Sequence, residues 1–123
     1  GFHFVDLPGY GYAKVPIEVR KKWGPMVSRY LKSREGLCAV VVILDVRRRP
    51  KEADHGLLAL LAHYSIPQIV VLTKADKLKR DKQNRQRRLI GKELAKDPSS
   101  LILFSAATGM GKQALWKTIE ALL

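Results

Sequence analysis

The sequence predicts an α/β domain built on a mostly parallel sheet. Short apolar runs rich in β-branched residues alternate with stretches whose apolar residues recur every three or four positions, the pattern of strands joined by crossover helices. The longest run, Leu37–Val46, is nearly continuous, as expected of a strand covered on both faces. Each run ends in a polar or glycine-containing turn, and open α/β sheets place their ligands beyond such strand ends.

The elements follow in order. Phe2–Asp6 reads as a short buried strand ending in a carboxylate. Leu7-Pro8-Gly9-Tyr10-Gly11-Tyr12 is turn chemistry. Pro16–Lys32 reads as a helix with Val19, Trp23, Met26, Val27 and Tyr30 on one face; Gly24-Pro25 predicts a kink or break within it. After the strand Leu37–Val46 comes a basic loop, Arg47–Glu52, and then a helix, Ala53–Tyr64, with Leu57, Leu58, Leu60 and Leu61 toward the core. Gln68–Thr73 is another buried strand. Asp81–Lys96 is a strongly basic helix held by Leu89, Ile90 and Leu94. Leu101–Ser105 is the last strand, and a glycine turn from Thr108 to Gly111 leads into a final helix through Leu123. No internal repeat or low-complexity linker interrupts the pattern.

Composition narrows the function classes. The 123 residues amount to one domain, and 46% hydrophobic with 28% charged residues excludes wholesale disorder. No apolar run approaches the ~20 residues of a membrane span. The single cysteine, Cys38, excludes an internal disulfide and a multi-cysteine zinc site, and is expected as a small core residue in a reducing cytosol. Lys and Arg number 23 against 11 Asp and Glu, a net charge of +12 with a pI near 10.1. That balance favours a polyanionic partner, RNA before an anionic membrane. The chain opens without Met or a signal peptide, directly in a strand-like segment, and is expected to be the interior of a longer protein.

Four strand ends carry the chemistry. Asp6-Leu7-Pro8-Gly9 offers a carboxylate able to hold Mg²⁺ through water and a glycine N–H able to meet a terminal phosphate. Asp45 ends the second strand. In Thr73-Lys74-Ala75-Asp76 the lysine stem can lie along a flat base, while the Asp76 carboxylate accepts two parallel N–H bonds from a guanine edge. Ser105-Ala106-Ala107-Thr108-Gly109 presents backbone N–H groups at a tight turn entering a helix. Each of these segments alone also fits an ordinary solvated turn. Gly109-Met110-Gly111-Lys112 is not a phosphate loop, because it lacks the full G-x-x-x-x-G-K-[ST] spacing and has Gln113 where Ser or Thr is required.

Taken together, Asp-x-x-Gly, then Thr-Lys-x-Asp about 65 residues on, then Ser-Ala about 30 further resembles the P-loop GTPase superfamily. The stretch Asp6-Leu7-Pro8-Gly9-Tyr10-Gly11-Tyr12-Ala13-Lys14-Val15 is similar to the signature segment of EngB-type (YihA/YsxC) ribosome-biogenesis GTPases, as are Leu44-Asp45-Val46-Arg47 and Leu72-Thr73-Lys74-Ala75-Asp76-Lys77-Leu78. The resemblance covers essentially the whole chain. It implies a Ras-like three-layer sandwich, N-terminally truncated, with residues 1–123 forming part of a G domain. It also implies GTP/GDP and Mg²⁺ as ligands, cytoplasmic localisation, and roles in ribosome assembly, septation and cell division. By the same resemblance, Asp6 is the water-mediated Mg²⁺ residue. Pro8 and Gly9 lie at the γ-phosphate, with Tyr10–Val15 as the second switch. Thr73, Lys74 and Asp76 recognise guanine, and Ser105, Ala106 and Ala107 clasp the base, Ala106 through its backbone N–H.

Two departures qualify the likeness. Tyr10 follows Gly9 where Ras-like proteins carry a water-orienting glutamine, so hydrolysis is expected to be slow or dependent on a partner. The phosphate loop and first switch would precede Gly1. The central strand that they flank would then be missing between Phe2–Asp6 and Leu37–Val46, a slot to be closed by direct pairing, by detachment of the N-terminal strand or by a second copy of the chain. On that reading the 123-residue chain is an inactive fragment that binds GTP weakly or not at all. The partners implied are ribosomal RNA and large-subunit assembly intermediates. From Lys77 to Lys96 nine Lys and Arg face only Asp81 and Glu93, without interleaved aromatics, which fits backbone contact rather than base readout. The competing reading is a non-enzymatic basic RNA-binding module that does not bind nucleotide. A membrane-surface role lacks the amphipathic basic helix with bulky anchors that it requires.

Overall fold

Strands β1 (Val40–Asp45), β2 (Gln68–Thr73) and β3 (Ile102–Leu103) form a parallel sheet in that order. The structure, a computed structural model, describes residue 18, residues 21–32 and residues 39–122. Helix α1 (Trp23–Lys32) precedes β1, α2 (Glu52–His63) joins β1 to β2, α3 (Arg80–Glu93) joins β2 to β3, and α4 (Lys112–Leu122) follows. The α/β class and the parallel sheet are as predicted.

Register explains the core. Val42 is opposite Val70, and Leu44 opposite Leu72, so these four share one face. They join Leu57, Leu58 and Leu61 of α2, Ile90 of α3 and Trp23 of α1 in one buried cluster. Each such side chain contributes about 1.5–3 kcal/mol on burial, which makes this cluster the main support of the fold. On the opposite face Ile69 and Val71 are buried while Ile43 is 59% exposed. Among the described residues β1 pairs along one edge only. The predicted strand Phe2–Asp6, the slot beside it and Cys38 lie outside the described residues.

Several boundaries differ from expectation. Within the expected helix Pro16–Lys32, Glu18 is helical, Lys21-Lys22 form a turn, and α1 runs from Trp23. The expected break thus falls at Lys21-Lys22, just before Gly24-Pro25, which occupies the first turn of α1; proline is tolerated there because its missing N–H has no intrahelical partner to lose. The last strand is two residues long, not Leu101–Ser105. After Leu103 the chain is drawn into the loops: Phe104 donates to the Leu72 carbonyl at 2.9 Å and accepts from Ala75 N–H at 3.0 Å, and Ser105 N–H turns to the Met110 carbonyl at 3.0 Å. Helix α3 runs Arg80–Glu93, and Leu89, expected in the core, is 54% exposed. Its inward face is Gln83, Ile90 and Gly91. Gln83 and Ile90, seven residues apart, are stacked two turns from each other, which rotates Leu89 outward.

Among the described residues no helix is long and apolar enough to cross a membrane.

Candidate functional site

Two loops meet at the carboxyl ends of β2 and β3. The first turns sharply at Lys74, whose φ of +62° puts a non-glycine residue in the left-handed region. That conformation costs ~1–2 kcal/mol and persists only where the surroundings enforce it. They do so here. The next residue, Ala75, is fully buried, and its N–H is bonded to Phe104 O. Its carbonyl accepts from Gln83 Nε2 at 2.7 Å, and the same amide reaches Leu78 O at 3.0 Å. Helix α3 thereby bolts down the turn.

The second loop is anchored by Ser105, which is fully buried. Its hydroxyl donates to Asp76 Oδ1 at 2.8 Å and accepts from the Thr108 N–H at 3.2 Å. Ser105 O accepts from Gly109 N–H at 2.9 Å, which closes the turn. One oxygen of Asp76 is thus fixed by the neighbouring loop, while Oδ2 has Lys77 Nζ at 4.0 Å. A carboxylate so oriented can read paired N–H donors on a planar ligand. Ala106 and Ala107 lie exposed in the turn beside it.

A second carboxylate, Asp45, ends β1 opposite Thr73. Arg47 grips both of its oxygens, Nε to Oδ1 at 3.0 Å and a terminal nitrogen to Oδ2 at 2.8 Å, and adds its backbone N–H to Oδ1 at 2.9 Å. Arg48 Nε at 3.9 Å and Lys74 Nζ at 3.8 Å approach the same Oδ2. The side-chain hydrogen bond from Arg47 is the largest influence on this carboxyl and holds its pKa down at about 2.

Of the residues expected at the site, the structure brings together Thr73, Lys74, Asp76, Ser105, Ala106 and Ala107. Asp6, Pro8, Gly9 and the segment Tyr10–Val15 lie outside the described residues. Among the described residues no cluster of three or more His, Cys, Asp or Glu could hold a metal. Sequence reasoning missed Gln83. A glutamine seven residues before Ile90, and so on the same face of the helix, was the available signal. It also gave Asp45 and Arg47 no individual role.

No family model matches the sequence. Curated relatives do. The chain is 48% identical over 122 residues to the "Probable GTP-binding protein EngB" of Citrifermentans bemidjiense, covering 99% of this chain and 57% of that protein. The protein of the same name from Geobacter sulfurreducens is 47% identical over 119 residues, covering 97% and 58%. That of Pelobacter propionicus is 50% identical over 115 residues, covering 94% and 58%. The chain thus spans less than three fifths of the length of these three relatives. Among solved structures, a probable GTP-binding protein engB superposes with a TM-score of 0.70 at 21% identity, over 95% of this chain and 74% of that one. The elongation factor SelB of Methanococcus maripaludis, crystallised with the GTP analogue GppNHp, gives 0.61 at 24% identity over 80% of this chain and 23% of its own. These two likenesses speak to the fold. Close to half of the chain's residues, along nearly its whole length, are identical to those of these curated proteins named GTP-binding protein EngB, and it is to them that the chain is similar.

Proposed function

We propose that this chain carries the guanine-recognising half of a GTP-binding and GTP-hydrolysing switch that assists assembly of the large ribosomal subunit in the cytoplasm. The observation that carries the nucleotide reading is the fixed Asp76 carboxylate, tied at 2.8 Å to a buried serine of the facing loop. Guanine presents a ring N–H and an exocyclic amine side by side, a pair that adenine lacks, and a held carboxylate is complementary to them. In this reading Thr73 and Lys74 complete the turn under the base, Ala106 and Ala107 supply backbone contacts at its rim, and Pro8 and Gly9 meet the terminal phosphate. Asp6 would hold Mg²⁺, and the ion would neutralise phosphate charge.

Titration of the chain with GDP, ADP and XDP, followed by NMR into the millimolar range, tests the base reading. GDP is expected to outrank ADP. Asp76→Asn is expected to reverse the order of GDP and XDP, because the amide exchanges an acceptor for a donor. Equal affinity for GDP and ADP would overturn the assignment.

The ribosomal partner is supported by charge. Lys82, Arg85, Arg88 and Lys92 are exposed along α3, and Arg48 is exposed in the loop after β1, where Arg47 and Arg49 are held by Asp45 and Glu93. Phosphate contacts, followed by counterion release, are what such a surface supplies. Arg87 behaves differently: its Nε donates to Pro98 O at 2.8 Å, so this side chain braces the α3–β3 connection. Binding of ribosomal RNA without any guanine-nucleotide binding would favour the alternative, a basic RNA module. A place in septation and cell division follows from the family reading, through growth's dependence on ribosomes.

A further inference from the structure

We propose that Asp45 is a positioning residue for purine recognition, anchoring the ammonium of Lys74 so that the stem of that lysine is presented to the base. The proposal rests on the guanine-nucleotide reading of the site and adds to it a residue on a different strand.

Strands β1 and β2 end in register, Asp45 opposite Thr73, so the residue after Thr73 emerges beside the Asp45 carboxylate. The left-handed turn at Lys74 occurs at that point. Lys74 Nζ comes to 3.8 Å from Asp45 Oδ2. The two partners are unequal. The Asp45 side chain is only 17% exposed and is immobilised by three hydrogen bonds from Arg47, whereas the Lys74 side chain is 56% exposed. The carboxylate is therefore the fixed post and the lysine the adjustable arm. A tethered lysine keeps four methylenes extended between its backbone and its charge, an apolar strip on which a flat ring can lie. Without the post the arm samples many rotamers, and ordering it becomes a cost of binding. Asp76 and Ser105 read the edge of the ring; the Lys74 stem supports its face; Asp45 holds the stem.

This arrangement makes Asp45 matter for nucleotide affinity only through Lys74, and a double-mutant cycle reads that dependence. GDP affinity of the chain is measured by NMR titration for wild type, Asp45→Asn, Lys74→Met and the double variant. Asp45→Asn is expected to weaken GDP about three- to fivefold, the range of a half-exposed ion pair. In the Lys74→Met background the same change is expected to have no further effect. Arg47→Ala, which frees the Asp45 carboxylate, is expected to weaken GDP as well, and again only where Lys74 is present. If Asp45→Asn gives the spectrum of an unfolded chain, Asp45→Glu replaces it in the cycle, since it keeps the charge and displaces it by one methylene. An equal loss from the Asp45 change with and without Lys74, or no loss in either background, overturns the proposal while leaving guanine recognition intact. A wild-type chain that binds GDP and ADP equally overturns the nucleotide reading itself.

Discussion

Gly111 is the position where the structure makes its sharpest demand on the sequence. Its φ is +82°, and a Cβ added there would lie 2.0 Å from the carbonyl oxygen of Leu103. Ordinary contact begins near 3.4 Å, so Gly111→Ala forces the backbone of the turn and of β3 apart by more than an ångström. The left-handed conformation alone costs alanine ~1–2 kcal/mol, and overpacking typically adds ~1–3 kcal/mol. The sum is about 3 kcal/mol, a large share of the ~5–15 kcal/mol that holds a typical domain together. Gly109 provides the internal comparison. Its φ is +81°, yet nothing lies within 4 Å of an added Cβ. Gly109→Ala therefore suffers only the conformational penalty, about 1 kcal/mol. With a urea m-value of about 1.5 kcal/mol/M, the unfolding midpoint falls by about 2 M for Gly111→Ala and about 0.7 M for Gly109→Ala. Because Ser105 N–H is bonded within the same turn, to Met110 O, the first variant is also expected to loosen the Ser105–Asp76 hydrogen bond and weaken nucleotide binding. Equal midpoints for the two alanine variants would refute the reasoning, since backbone strain would then account for everything and the clash with Leu103 for nothing.

Gln83→Leu leaves the carbonyls of Ala75 and Leu78 without the amide that both accept from; a loss of about 2 kcal/mol and a melting temperature lower by ~6–10 °C are expected from thermal denaturation. The depressed pKa of Asp45, about 2 against an ordinary 3.8, means that its pair with Arg47 stabilises the fold fully above about pH 4 and loses that effect as pH falls toward 2. The urea midpoints of wild type and Asp45→Asn should therefore converge over that window, whereas a constant gap down to pH 2 would count against the pairing. Replacing Lys82, Arg85 and Arg88 with Ser should reduce the salt dependence of ribosomal RNA binding by about one unit of slope for each phosphate that is no longer neutralised. Arg87→Ser should instead lower the melting temperature and leave the slope alone, because its guanidinium is engaged by Pro98 and Ser99 carbonyls.

What the sequence determined by itself is the alternation of elements and the location of the base-recognition loops. Gln68–Thr73 was legible to the residue, because an apolar β-branched run bounded by Pro67 and by Lys74 permits little else. The Thr-Lys-x-Asp and Ser-Ala segments were equally legible as local chemistry at strand ends. Their meeting was not. That Ser105 donates to Asp76 across 29 residues follows from strands β2 and β3 lying side by side, which no local pattern encodes. Tertiary structure also decided which face of α3 is inward. Helical periodicity favoured Leu89, but two backbone carbonyls in the Lys74 turn require a donor, and Gln83 meets them at the expense of exposing a leucine. Likewise the short β3 reflects a competition that the apolar run Leu101–Phe104 does not reveal: the Phe104 carbonyl is taken by Ala75 and Ser105 N–H by Met110, so the ladder ends where the site begins. Residue types and their spacing set which groups could recognise a nucleotide. The hydrogen-bond demands of buried backbone, satisfied only once distant segments are adjacent, decided how those groups are held.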